Sequence, residues 1–266
     1  MKKPKVCILR AAGTNCDKET AYAFVKVGAA PEYVHINKLI SGGNNLNDFQ
    51  ILVLPGGFTY GDDIAAGKIL ANELRCKLAP DLRKFLSEGK LIIGICNGFQ
   101  ILVKSGLLPG NRNFEQETSL IINDSGKFED RWVYLKSIVH SPQSTVNCVW
   151  AKGLPEIIYL PVAHGEGKFV AKDKGVLGRL KKHNQIVFQY CNEEEKLKGY
   201  PYNPNGSEES IAGICDETGR ILGLMPHPER HIDIRQHPRW SALKGRKEGD
   251  GLQIFRNGVE YSKKHF

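Results

Sequence analysis

The five residues Gly94-Ile95-Cys96-Asn97-Gly98 stand between an apolar run and a run with helical character. A strand that turns abruptly into a helix can hold a nucleophile in a strained conformation at its tip, with flanking glycines providing the clearance. The following helix points its N-terminus at the thiol, and that partial positive charge favours a thiolate. Cysteine suits acyl transfer because it forms a thioester that water can later open. Taken alone, the pattern fits a buried cysteine in an ordinary βα turn better.

A nucleophile of this kind needs a base. Met225-Pro226-His227-Pro228-Glu229-Arg230 follows directly on the apolar run Ile221 to Leu224, which places His227 just beyond a strand end. The flanking prolines stiffen the backbone and limit regular structure. An imidazole there can take the thiol proton and return it to a leaving group. Glu229 can hold the ring in one tautomer and stabilise its imidazolium. Alone, His-Pro-Glu reads as a surface turn. His227 and His231 form an i, i+4 pair, but the rest of a zinc motif is missing, so no metal site is expected. Leu54-Pro55-Gly56-Gly57-Phe58 ends another apolar run in a glycine pair that a substrate can approach closely. The backbone N–H groups of Gly57 and Asn97 could face a developing oxyanion. Without Cys96 the glycine pair would be a plain β-turn.

Strands alternating with helices must carry these groups. Lys5 to Leu9, Glu32 to Ile36, Ile51 to Leu54 and Leu91 to Ile95 read as strands. Between them, a helix capped by Thr14-Asn15 runs through Ala21 to Val27 and stops at Gly28; further helices cover Ile64 to Leu78, Asp81 to Glu88 and Gly98 to Lys104. This order predicts an α/β fold: an open, mostly parallel sheet flanked by helices, with the ligand site at the carboxyl ends of its strands. In the second half, Trp132 to Val139, Val146 to Trp150, Lys168 to Val170, Ile186 to Gln189, Ile211 to Cys215 and Ile221 to Leu224 read as additional strands. Glu217-Thr218-Gly219-Arg220 reads as a hairpin turn and Asn192 to Ser210 as a polar surface loop. No internal repeat or obligatory linker interrupts the chain, so a single domain over 1–266 is expected.

With 266 residues, 41% hydrophobic and 25% charged, the composition is that of a globular protein able to bury a large core without disulfides. No apolar run approaches the ~20 residues of a membrane span. The seven cysteines are scattered, with no C-x-x-C pair, and read as reduced thiols of a cytoplasmic protein. The net charge of +8 is spread along the chain without an aromatic-interleaved basic stripe, which argues against nucleic acid as a partner. No G-x-x-x-x-G-K-[ST] phosphate loop is present, so no ATP site is expected in this chain.

Together, the three segments resemble the class I, triad-type glutamine amidotransferases, whose fold is flavodoxin-like. Within them the resemblance narrows to the glutaminase subunits of phosphoribosylformylglycinamidine synthases. It rests on Pro55-Gly56-Gly57-Phe58-Thr59-Tyr60-Gly61-Asp62-Asp63, Gly94 to Gln100, Ala163-His164-Gly165-Glu166-Gly167-Lys168-Phe169, Asn203-Pro204-Asn205-Gly206-Ser207 and Ile211 to Arg230. Gly13-Thr14-Asn15-Cys16-Asp17 fits as well, although Ala12 stands where proline is usual. The tail from about residue 232 is less diagnostic, though Asp250 to Phe255 resembles the ending of longer members.

The resemblance implies a Cys96–His227–Glu229 triad, with Gly57, Phe58, Asn97, Gln100, His164 and Gly165 as candidate glutamine contacts. Cys7, Cys16, Cys76, Cys148, Cys191 and Cys215 are left as structural. It further implies a synthetase partner that binds formylglycinamide ribonucleotide and ATP with Mg, and a small bridging subunit, in purine biosynthesis. Three rival readings are a glutaminase for another synthetase, a stand-alone cysteine hydrolase of γ-glutamyl peptidase type, and a non-catalytic binding module. The last would be expected to lack one triad member.

Overall fold

A computed structural model describes residues 3–110, 113–138, 147–243, 245 and 248–266. Eleven strands are present among them: β1 (Lys5–Arg10), β2 (Ala30–His35), β3 (Ile51–Leu54), β4 (Leu91–Ile95), β5 (Thr118–Ile121), β6 (Glu129–Ser137), β7 (Ile157–His164), β8 (Lys168–Ala171), β9 (Ile186–Cys191), β10 (Ile211–Cys215) and β11 (Ile221–Leu224). Nine of these form one sheet in the order β2-β1-β3-β4-β11-β10-β9-β6-β7, and β5 pairs with β8 separately. From β2 to β11 the neighbours run parallel; from β11 to β7 they run antiparallel. The expected open sheet with extra antiparallel strands in the second half is therefore the observed one. β3, β4, β10 and β11 are buried at every residue, which explains their continuous apolar runs: a strand covered on both faces has no polar side to show.

Register brings the chemistry together. Leu224 at the end of β11 lies opposite Ile95 at the end of β4, and Leu54 of β3 lies opposite Gly94. Cys96, the His227 turn and the Gly57 loop therefore leave the sheet along one edge, where ligands bind in open α/β sheets.

The helices are α1 (Asp17–Lys26), α2 (Ile36–Ile40), α3 (Lys68–Lys77), α4 (Ala79–Ser87), α5 (Asn97–Lys104), α6 (Lys174–Lys182) and α7 (Leu252–His265). Helix α7 buries Leu252, Phe255, Val259 and Ser262 at helical spacing; Phe255 meets Phe24 of α1 edge-to-face at 5.1 Å.

Several elements differ from the sequence expectation. The N-cap of α1 is Cys16, with no side-chain cap bond, and Thr14 Oγ1 instead accepts the Ala11 N–H. Ile36 leaves β2 to open α2. Helix α3 begins at Lys68, because Gly67 has φ +72° and Ile64, 72% exposed, has no core to face. Val146 to Trp150 is not a strand where it is described: Val149–Ala151 is a 3-10 turn whose Trp150 is buried, its Nε1 donating to the Arg220 carbonyl. Val139 and Val146 lie outside the described residues. The expectation omitted β5, β7, α2, α6 and α7.

Candidate active site

Cys96 sits between β4 and α5 with φ +53° and ψ −107°, outside the regions a residue with a side chain readily adopts. Such backbone strain, about 1–3 kcal/mol, persists only where the surroundings hold it. The two neighbouring glycines show what does so. A Cβ on Gly98 would come 1.8 Å from the Leu54 carbonyl oxygen, and one on Gly94 would come 2.5 Å from the Gly98 carbonyl oxygen. Strand β3, strand β4 and helix α5 can thus close around the elbow only if both positions lack side chains. The Cys96 backbone N–H donates to Leu224 at 2.8 Å, and its thiol faces the Ala163 carbonyl at 3.6 Å. Asn97 is the first residue of α5, so its N–H belongs to the helix-start donors that no carbonyl of the helix satisfies.

His227 follows β11 and is 1% exposed. Its backbone N–H donates to Pro161 of β7 at 2.8 Å. The ring Nδ1 lies 2.6 Å from Oε1 of Glu229, also 1% exposed, so the carboxylate fixes the proton on Nδ1 and leaves Nε2 toward the thiols. Nε2 makes no hydrogen bond among the described residues. Burial disfavours the imidazolium, but the Glu229 carboxylate and the sulfurs of Cys96 and Cys16 outweigh it and raise His227 well above the ordinary histidine value. Behind this turn runs the chain after residue 248. Gly251 donates its N–H to the His231 carbonyl at 2.8 Å, and a Cβ there would lie 2.1 Å from the Pro228 carbonyl oxygen. Asp250 accepts the Tyr159 N–H of β7 at 2.9 Å.

In front of Cys96 lies a cavity of about 140 Å³ lined by Gly57, Phe58, Asp62, Ala66, Cys96, Gln100, Phe128, Ala163, His164, Gly165 and Glu166. Phe58 and Phe128 stack at 6.5 Å, both exposed. A larger hollow of about 680 Å³ lies between Cys148, Arg220 and Tyr261 and contains none of the candidate residues. His164 is buried with its ring against Gly167, where a Cβ would be 2.3 Å away. Burial, then the charge of His227, pushes His164 down to about 3, so it stays neutral. Its Nε2 lies 3.5 Å from the Asn205 amide nitrogen, and its Nδ1 is buried without a partner among the described residues.

Two of the candidate contacts have their side chains engaged by the protein itself. Asn97 Oδ1 accepts from the Thr59 hydroxyl at 2.6 Å, while its Nδ2 donates to Asp62 and to Gln100 Oε1. Gln100 Nε2 donates to the Glu166 carbonyl at 2.6 Å. Asn97 therefore offers the pocket its backbone N–H and holds the glycine loop through Thr59 and Asp62, while Gln100 links Asn97 to the 163–167 segment. Lys104, buried beneath them, donates to the Ala66 carbonyl and lies 3.7 Å from Glu166; burial lowers its pKa and raises that of Asp62.

The structure brings together Cys96, His227, Glu229, Gly57, Phe58, Gln100, His164 and Gly165, with the Asn97 N–H at the start of α5. Asp62, Ala66, Phe128, Ala163 and Glu166 also line the cavity but were not singled out from the sequence. Asp62, Ala163 and Glu166 lie inside the glycine-loop and 163–169 motifs, which were the available signal; Ala66 and Phe128 carried none. Cys16 is also in the cluster: single ligand-type atoms of Cys16, Glu19, His227 and Glu229 all lie within 4.8 Å of one another. The guanidinium of Arg230 already bridges Glu19 and Cys16 there, at 2.9 and 3.2 Å.

An open sheet with a strained cysteine elbow and a carboxylate-bound histidine at the same edge defines the glutamine amidotransferase class of α/β proteins. The CobB/CobQ-like glutamine amidotransferase domain family matches residues 3–262, and the chain belongs to that family. It is 49% identical to the phosphoribosylformylglycinamidine synthase subunit PurQ of Dehalococcoides mccartyi, over 99% of each chain. A PurQ of Methanococcus maripaludis is 43% identical over 98% of each. Among solved structures, the PurLQS complex of Thermotoga maritima contains a chain with 32% identity and a TM-score of 0.72, covering 98% of this chain and 99% of that one.

Proposed function

We propose that this chain is the glutaminase subunit of a phosphoribosylformylglycinamidine synthase, with Cys96, His227 and Glu229 as its catalytic triad. The observation that carries this reading is the buried His227–Glu229 pair beside the Cys96 elbow, in a chain matching PurQ proteins from end to end. The reaction follows from the geometry. Cys96 sulfur attacks the side-chain amide carbon of glutamine while His227 holds the thiol proton. The N–H groups of Gly57 and Asn97 stabilise the oxyanion. His227 returns its proton to the leaving nitrogen, which departs as ammonia and leaves a γ-glutamyl thioester. Water, deprotonated by His227, then opens the thioester to glutamate. The carboxylates of Asp62 and Glu166 suit the α-ammonium group of the substrate.

The ammonia is consumed by a synthetase subunit that binds formylglycinamide ribonucleotide, ATP and Mg and makes the amidine, with a small bridging subunit completing the complex. The naming of the Thermotoga maritima assembly as PurLQS supports both partners. The chain works as one glutaminase domain in the cytoplasm; no helix among its described residues is long and apolar enough to cross a membrane.

The test is Cys96→Ala in the complex reconstituted with its synthetase. Glutamine-dependent amidine formation should disappear while ammonia-dependent formation persists. Loss of both would count against a confined glutaminase role. High glutaminase turnover without any partner would instead favour a stand-alone hydrolase.

A further inference from the structure

The mechanism above leaves one buried nucleophilic group unused. Cys16, grouped with the structural cysteines on sequence alone, is 2% exposed and caps α1, yet its sulfur faces the catalytic imidazole. Its Sγ and a ring nitrogen of His227 lie within 4.8 Å of each other. Both groups press on the same face of Gly56, where a Cβ would come 3.1 Å from Cys16 Sγ and 2.9 Å from His227 Cε1. The position is held firmly. The Cys16 N–H donates to the Gly56 carbonyl at 3.2 Å, and the Thr20 hydroxyl donates to the Cys16 carbonyl at 2.6 Å.

We propose that Cys16 is a positioning residue for the glutaminase reaction, its sulfur accepting the Nε2–H of the His227 imidazolium when Cys96 cannot. This rests on the triad reading given above. The Nε2 of His227 is buried, and the sulfurs of Cys16 and Cys96 are the groups that interact with the ring from that side. In the tetrahedral intermediate the Cys96 sulfur is bonded to the substrate carbon and accepts poorly, while the ring still holds the proton. A buried charged donor would then be unsatisfied whenever the ring is protonated, which is costly in a dry site. Cys16 remains available. Its S–H can donate to Asn15 Oδ1 at 3.3 Å, leaving its lone pairs for the ring and for Arg230 Nη2 at 3.2 Å. Burial holds the thiol above its ordinary pKa, so it stays a neutral S–H and is no second nucleophile. No bond to Cys16 forms or breaks: the proton passes from Cys96 to Nε2 and from there to the departing ammonia.

The charged and titratable groups facing His227 are Glu229 and Arg230 on its own turn, Cys96 from the elbow, Cys16 and Glu19 from the α1 side, and His164 from β7. The Cys16, Glu19, His227 and Glu229 donors are also of types that can ligate a metal cation. Arg230 already supplies a positive charge between Glu19 and Cys16, so the cluster is read as a proton-holding network.

The experiment compares Cys16→Ala and Cys16→Ser in the reconstituted complex, measuring glutamine kinetics across pH and ammonia-dependent synthesis in parallel. For Cys16→Ala, kcat with glutamine should fall about tenfold and KM stay within about twofold, as expected for a contact made only during the reaction. The His227-controlled limb of the kcat profile should move to lower pH by about one unit, since a tenfold loss of imidazolium stabilisation equals one pKa unit. Serine, with an oxygen acceptor in the same place, should recover most of both, and ammonia-dependent synthesis should be unchanged in either variant. A wild-type rate and profile in Cys16→Ala would overturn the proposal. So would a fall in kcat with an unmoved profile that serine does not rescue, or loss of ammonia-dependent synthesis, both of which indicate packing alone. A wild-type complex lacking glutamine-dependent synthesis would remove the triad reading too, and is distinguishable because no variant is needed to see it.

Discussion

Replacing Glu229 by glutamine keeps the shape of the side chain and removes its charge, so it isolates the carboxylate's role. The 2.6 Å contact to His227 Nδ1 is sealed from water on both sides, each residue being 1% exposed. A hydrogen bond involving a charged group contributes about 1.5–3 kcal/mol, so losing the charge alone should cost roughly 10–150-fold in rate. A second effect adds to it. The glutamine amide can present its N–H to Nδ1, forcing the ring proton onto Nε2 and abolishing the base; the same tautomer error costs about 10⁴-fold in a serine triad. Glu229→Gln should therefore lower glutamine-dependent kcat by about 10²–10⁴-fold with KM little changed. The His227-controlled limb should move to lower pH, because the largest influence raising its pKa has gone. Steady-state kinetics of the reconstituted complex would show this, with ammonia-dependent synthesis as the control for assembly. A kcat within about threefold of wild type would mean that the carboxylate does not set the tautomer, and the triad assignment would fail with it.

Three further outcomes follow from the same geometry. Cys96→Gly should abolish glutaminase activity and yet raise stability by about 1 kcal/mol, because glycine adopts φ +53° without strain; a thermal midpoint about 2–4 °C higher would register it, and a lower midpoint would refute it. Gly98→Ala should destabilise the fold by about 3 kcal/mol, the upper end for overpacking, since the new methyl meets the Leu54 carbonyl at 1.8 Å; the urea midpoint measures it. His164 titrates near 3 in the fold and near 6.5 when unfolded, so below pH 6.5 the unfolded chain binds a proton the fold refuses. Stability from this residue should thus fall by about 1.4 kcal/mol per pH unit between pH 6.5 and 3. His164→Gln should flatten that part of the curve in urea titrations from pH 7 to pH 4.

The chemistry was legible where residues close in sequence are also close in space. Gly94 to Gly98 and His227-Pro228-Glu229 announced the elbow and the base, and apolar runs buried on both faces announced β1, β3, β4, β10 and β11. Contacts across the chain left no local trace. Strand β7 supplies the Ala163 carbonyl facing Cys96, the Pro161 carbonyl that holds His227, and His164 in the cavity. It went unseen because Pro161 interrupts its run and its burial only alternates, as suits the last strand of a sheet. Helix α6 was hidden by Gly175 and Gly178. Val149 and Trp150 have strand-forming side chains, but Trp150 fills a slot over Gly258, and that tertiary contact overrides local preference. Cys16 looked structural because what it faces lies some two hundred residues downstream.

The strap of Gly249 to Gly251 behind the His227 turn bears on how the protein is made. β11 slots between β4 and β10 although β4 is synthesised far earlier, and the turn that follows it is clamped by residues emerging after residue 248. Because Leu224 of β11 also accepts the Cys96 N–H, the elbow and the base-bearing turn are ordered by the same late strand. Thiol and base therefore become aligned in one folding event rather than one after the other.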